Sequence, residues 1–178
     1  MSGIVHPILL LSIFKTSFTI LLTDSKFMAN RPTVGDQAPS FQSQDQNGQI
    51  RTLSEFKGRK LVLYFYPKDD TPGCTAEACD LRDHYDRFLQ AGYSILGVSA
   101  DSPASHTKFR TKYNLPFDLL ADQDHSVHEA YATWVEKSMY GRKYMGTDRV
   151  TFVIDEQGKV EEVIAKVDTK NHSAQILR

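Results

Sequence analysis

An α/β fold, a mixed central β-sheet flanked by α-helices, follows from three features of the sequence. Short apolar runs of strand length alternate with stretches whose apolar residues recur every three or four positions. The alternation occupies the first part of the chain, whereas two successive strands and a helix close it. With 178 residues, 40% of them apolar, the chain is long enough for one domain around one core, and it contains no repeat, low-complexity tract or linker.

Phe41 to Ser43 and Gln49 to Leu53 read as an opening hairpin around Gln46-Asn47-Gly48, where Asn-Gly supplies the positive φ angles of a tight turn. Lys60 to Tyr66 is a continuous apolar run between Gly58 and Pro67, the pattern of a central strand covered on both faces. After the loop Lys68 to Gly73, Ala78, Leu81, Tyr85, Phe88 and Leu89 mark one amphipathic helix that ends at Gly92. Tyr93 to Ser99 is the next strand. Pro103 to Tyr113 is a helix with Ser102 as N-cap and Pro103 at its first position. Leu119 to Ala121 predicts a short strand and His125 to Thr133 another helix. Arg149 to Asp155 and Lys159 to Val167 are strands joined by Glu156-Gln157-Gly158, and Lys170 to Arg178 is a final helix. This order fits a thioredoxin-like architecture. Trp134, Tyr131, Tyr140 and Tyr144 read as packing residues or loop anchors.

The 21 basic and 22 acidic residues nearly cancel, so no overall field draws the chain to nucleic acid or to an anionic membrane. Ile8 to Leu22 is apolar but is interrupted by Lys15, and it is short against the roughly 20 residues of a membrane span, so stable insertion is not expected. The flanks lack the charge and cleavage pattern of a secretory signal. A chain starting at Met28 would lead directly into the domain. Residues 1–27 are therefore read as an extension outside the fold, 28–178 as the domain, and the location as cytoplasmic. Export or membrane association is the alternative if the extension is a targeting segment.

Two cysteines are too few for a secreted disulfide framework, which leaves reactive thiol, metal ligand or inert core residue as their roles. Cys74 falls in the first turn of a helix that follows the central strand, where free backbone N–H groups and the helix dipole stabilise negative sulfur. Spacing alone leaves it open between nucleophile and core filler. Glu77, in the same turn, repels a thiolate, so a cation from elsewhere in the fold is required. Cys74 shares the apolar stripe with Ala78, Leu81 and Tyr85, and Cys79 the polar stripe with Thr75, Arg82 and Asp86. One thiol should face a pocket and the other solvent. Five positions climb about 7.5 Å along a helix, beyond disulfide reach, so a Cys74–Cys79 bond requires local unwinding. Zinc binding with His84, His125 or His128 is the rival binding-module reading, but the spacing is not that of a closed site. His125 and His128 share one short helix face. A thioredoxin-type dithiol oxidoreductase would need Cys-x-x-Cys, and here four residues intervene.

Pro67-x-x-x-Thr71-x-x-Cys74 resembles the active-site signature of the peroxiredoxins. Thr71-Pro72-Gly73-Cys74-Thr75-x-Glu77-x-Cys79 is similar to that of their bacterioferritin comigratory protein (PrxQ) branch. The likeness runs from Val34-Gly35-Asp36-x-Ala38-Pro39 through Tyr64-Phe65-Tyr66-Pro67, Gly97-Val98-Ser99-x-Asp101 and Trp134-x-x-Lys137 to Arg149-x-Thr151-Phe152-x-Ile154-Asp155. It covers nearly all of residues 32 to 175. The family has no counterpart of residues 1–27, and its last helix usually continues beyond Arg178. The resemblance implies a hydroperoxide reductase with Cys74 as peroxidatic and Cys79 as resolving cysteine. Thr71 and the backbone N–H of Cys74 would bind the peroxide oxygens, Arg149 would hold thiolate and substrate, and Pro67 and Gly73 would form the pocket, with Pro67 shielding it. It further implies recycling by thioredoxin, no metal or other cofactor, and a monomer.

Overall fold

The computed structural model describes residues 30–178. The readings of residues 1–27, of the apolar run within them and of a start at Met28 lie outside the described residues. An opening hairpin pairs β1 (Gln42–Asp45) with β2 (Ile50–Thr52), and a 3-10 turn, Leu53–Phe56, leads into β3 (Lys60–Phe65). Then come α1 (Pro72–Asp83), α2 (Tyr85–Gln90), β4 (Tyr93–Ser99), α3 (Pro103–Tyr113), β5 (Asp118–Ala121) and α4 (Ser126–Ala130). A second hairpin, β6 (Trp134–Met139) and β7 (Arg142–Thr147), precedes β8 (Val150–Ile154), β9 (Val160–Ile164) and α5 (His172–Ile176). Seven strands form one mixed sheet in the order β2-β1-β5-β4-β3-β8-β9. In it β3 pairs parallel with β4 and antiparallel with β8, the mixed centre expected of a thioredoxin-like fold.

The strand period of two divides β3 between two cores. Leu61, Leu63 and Phe65 pack with Val127, Tyr131 and Phe152, whereas Val62, Tyr64 and Tyr66 pack with Cys74, Ala78, Leu81, Phe88, Phe109 and Ile176. Helices α1, α2, α3 and α5 thus cover one face and α4 the other. Gly97, beside Tyr64 on β4, makes this possible: a Cβ there would come within 2.8 Å of the Tyr64 ring.

Several sequence expectations change. The single helix from Ala78 to Gly92 is two helices with a break at His84. Its imidazole Nδ1 lies 2.9 Å from the Asp80 carbonyl and donates to it, competing for a helical acceptor. The restarted helix buries Phe88 and turns Leu89 out, 51% exposed. In the first turn only Gly48 has positive φ, because the Asp45 carboxylate accepts from the N–H groups of Asn47 and Gln49 and holds Asn47 in an Asx-type turn. The helix expected from His125 spans Ser126–Ala130 and the last one His172–Ile176. The β6–β7 hairpin was not foreseen. Its two-residue turn, Tyr140-Gly141, has φ of 52° and 77°, and the flanking strands are mostly exposed.

Candidate active site

Cys74 is the third residue of α1, directly beyond the loop that leaves the carboxyl end of β3. Thr71 occupies the N-cap position in extended conformation, and Pro72 opens the helix with a φ already suited to it. The first i to i−4 bond runs from Thr75 N to Thr71 O, so the N–H groups of Gly73 and Cys74 have no intrahelical acceptor. The Thr71 hydroxyl does not cap them; it donates to Lys68 O at 3.0 Å, which leaves its lone pairs free to accept.

The loop is fixed from two sides by α3. Asp69 is buried, accepts from Tyr66 Oη (2.7 Å) and Ser105 Oγ (2.7 Å), and lies 2.9 Å from His106 Nδ1. The other His106 nitrogen meets Leu120 O at 3.0 Å. Outside, Asp70, in left-handed conformation, pairs with Lys112 (2.7 Å) and accepts from Tyr113 Oη (2.6 Å).

Arg149, the residue before β8, answers the need for a cation. Its Nη2 donates to Cys74 Sγ at 3.1 Å and its Nη1 pairs with Glu77 Oε2. The Cys74 residue is 2% exposed and the Glu77 side chain 0%, while the Arg149 side chain keeps 21%, so solvent reaches part of the arginine and hardly the sulfur. Burial pushes Glu77 up from 4.5 to about 7 against the opposing charge of Arg149. Among the described residues Glu77 Oε1 has no hydrogen-bond partner, and it lies 3.8 Å from Nε2 of the buried His172.

The structure therefore brings Cys74, Gly73, Thr71 and Arg149 together; a Cβ on Gly73 would stand 3.6 Å from Arg149 Nη2. Pro67 is exposed, immediately after Tyr66. Cys79 is half-buried, and both thiols are free. Sequence reasoning missed Asp69 and His106, and it missed His172. From the sequence Glu77 reads as a charge that repels a thiolate while favouring the helix dipole, although its spacing from Cys74 places it on the same buried stripe. The zinc reading finds no support in the histidines: His128 is buried between Asp122 (2.6 Å) and Thr147 (2.9 Å), and His125 stacks on Trp134 with centroids 3.8 Å apart. Among the described residues no cluster of three or more His, Cys, Asp or Glu is arranged to hold a metal ion. No helix among them is long and apolar enough to cross a membrane. A cavity of about 370 Å³ lies at the other end of β3, lined by residues including Leu53, Phe56, Leu61 and Ile154 and far from the thiol.

A thiol held in the first turn of a helix by an arginine, on a thioredoxin-like sheet, defines a peroxiredoxin-type site. Residues 34–163 match the model of the AhpC/TSA family, and this chain belongs to that family. It is 46% identical to Peroxiredoxin Bcp of Bacillus subtilis over 82% of this chain and 92% of that one. The solved structure of the Xanthomonas campestris bacterioferritin comigratory protein, described for its alkyl peroxide reduction activity, superposes with a TM-score of 0.73. It is 38% identical over 77% of this chain and 87% of its own. A PrxQ mutant structure from Xylella fastidiosa gives a TM-score of 0.78 at 31% identity, over 84% and 95% respectively. The chain is thus a peroxiredoxin of the Bcp/PrxQ kind, and its activity that of a thiol peroxidase.

Proposed function

We propose that the domain of residues 28–178 reduces hydrogen peroxide and organic hydroperoxides through Cys74 and is reset by thioredoxin. The observation that carries this reading is the Arg149 guanidinium 3.1 Å from a sulfur in the first turn of α1. Guanidinium, helix dipole and free N–H groups all favour the thiolate. The thiolate attacks one peroxide oxygen; an S–O bond forms, the O–O bond breaks, and the alkoxide or hydroxide leaves as alcohol or water on taking a proton. Thr71 accepts a hydrogen bond from the hydroperoxide O–H, and the Cys74 N–H with Arg149 donates to the oxygens as charge develops on them. Pro67 and Gly73 bound the pocket.

The Cys79 thiol then attacks the sulfenic sulfur, expels water and leaves a Cys74–Cys79 disulfide. A dithiol of thioredoxin type supplies the two electrons that reopen it. The enzyme acts as a monomer in the cytoplasm and uses no metal or other cofactor. Thioredoxin-coupled peroxide turnover by the wild type and each Cys→Ser variant tests this. Cys74→Ser should be inactive, because a hydroxyl is hardly ionised and forms no sulfenic acid. Cys79→Ser should lose thioredoxin-dependent turnover while still reacting once with peroxide. Turnover that needs neither cysteine would sink the reading.

A further inference from the structure

The guanidinium of Arg149 faces two acidic groups, the Cys74 sulfur and Glu77, and a cation shared between two anions would serve neither fully. What Glu77 does is settled on its other side. His172 Nδ1 lies 3.0 Å from Gln175 Oε1, and the Gln175 amide is oriented because its Nε2 donates to Lys166 O while its Oε1 accepts from Asp168 N. Oε1 can only accept, so Nδ1 carries a proton. In the neutral ring Nε2 is then the lone-pair nitrogen, and the Thr151 hydroxyl at 2.8 Å donates to it there or accepts from it when Nε2 is protonated. Its neighbour is Glu77 Oε1, buried and unpartnered. At 3.8 Å the two atoms make no direct hydrogen bond, but two lone-pair atoms that face each other out of water repel unless one of them carries a proton.

We infer that His172 is a positioning residue: it and Glu77 hold one proton between them, so that the pair is neutral as a whole and the charge of Arg149 is left to the Cys74 sulfur. The inference rests on the reading of Cys74 as the nucleophile. The proton sits on Glu77 Oε1 or on Nε2, and the pair's net charge is zero either way. Burial favours the neutral form of both groups, raising Glu77 to about 7 and lowering His172 from 6.5. The other groups that face the pair come from every element around it. They are Asp80 of α1, Arg149 before β8, Asp168 before α5 and the Tyr64 phenol of β3, which burial keeps neutral, with Cys74 across the shared Arg149. Arg149 is the one cation among them. When the shared proton leaves at higher pH, Glu77 becomes a full competitor for it.

The test is the pH profile of Cys74 alkylation by iodoacetamide, followed by mass spectrometry of its peptide in reduced protein, together with the rate constant for peroxide. In His172→Asn, Glu77 has no proton partner, so the alkylation midpoint should rise by about one pH unit and the peroxide rate at pH 7 fall about tenfold. In a Glu77→Gln background no carboxylate competes, and the same substitution should move neither by more than about twofold. If His172→Asn does not fold, Gln175→Ala decides. It removes the acceptor of Nδ1, weakens the base at Nε2, and should give a smaller shift of the same sign that also vanishes with Glu77→Gln. An unmoved midpoint, or an equal shift in both backgrounds, overturns the inference and makes His172 a packing residue. Failure of the Cys74 reading looks different: wild type and Cys74→Ser would consume peroxide alike.

Discussion

Helices α1 and α3 start from the same local pattern. Each follows one of two neighbouring parallel strands, and each opens with a hydroxyl residue in extended conformation followed by proline: Thr71-Pro72 and Ser102-Pro103. They differ in what the hydroxyl does. Ser102 Oγ accepts from Ser105 N at 3.3 Å and caps its own helix, whereas Thr71 turns to Lys68 O and leaves the equivalent N–H, that of Cys74, open. Helix α3 ends in a left-handed Asn114 and braces the loop that leads into α1. Helix α1 places sulfur, N–H and arginine around an unsatisfied terminus. An N-terminus closed by its own side chain is structure, and one held open is a place for an anion.

The contrast between the two helix starts depends most on Arg149. Arg149→Ala removes the positive side chain that, among the described residues, contacts the sulfur. The stopped-flow rate constant with peroxide should drop about 10²–10³-fold with the fold intact. An unchanged rate would make Arg149 a structural partner of Glu77.

Oxidation should also separate the helices. A regular turn cannot bring Cys74 to Cys79, so amides of Thr75 to Arg82 should lose hydrogen-exchange protection in the disulfide form while those of Ser105 to Lys112 keep theirs. Cys79→Ser should abolish the change. A Cys74–Cys79 link formed with α1 protection unaltered would contradict it.

The two hydroxyls should give opposite results. Thr71→Val should slow the peroxide reaction about tenfold with little effect on melting, because its oxygen accepts from no helix N–H. Ser102→Ala should cost about 1 kcal/mol, roughly 2–4 °C in Tm, with the rate unchanged. Equal behaviour would erase the distinction.

The smallest effect is on stability. Glu77 holds its proton more tightly folded than unfolded, so folding takes up a proton between pH 4.5 and about 7. Its contribution is therefore full below 4.5 and is lost as pH rises through about 7. Thermal unfolding of wild type should show this decline, and Glu77→Gln should flatten it.

Features carried by local chemistry were legible in the sequence. The apolar run of β3, the Ser102-Pro103 start of α3 and the placement of Cys74 in a first turn all depend on neighbouring residues, and the demand for a cation followed from Glu77 alone. Features decided by distant partners were not. The break at His84 depends on its ring taking the Asp80 carbonyl, in a geometry shared with Ser173 Oγ at 3.1 Å. The β6–β7 hairpin puts Tyr140, not the usual asparagine, at positive φ, and its exposed faces carry no alternation to detect. An acid within an amphipathic helix ordinarily reads as solvent-facing. Spacing from Cys74 puts Glu77 on the buried stripe, but the partners that let a carboxyl stay there, Arg149 and His172, arrive from the other end of the chain.

Trapping the sulfenic acid shows whether oxygen is transferred to Cys74. Reduced Cys79→Ser protein treated with one equivalent of peroxide in the presence of dimedone should carry one adduct, on the peptide containing Cys74, and none when Cys74 is also replaced by serine. An unmodified Cys74 after the peroxide has been consumed would show that the open end of α1 is not where the oxygen is transferred.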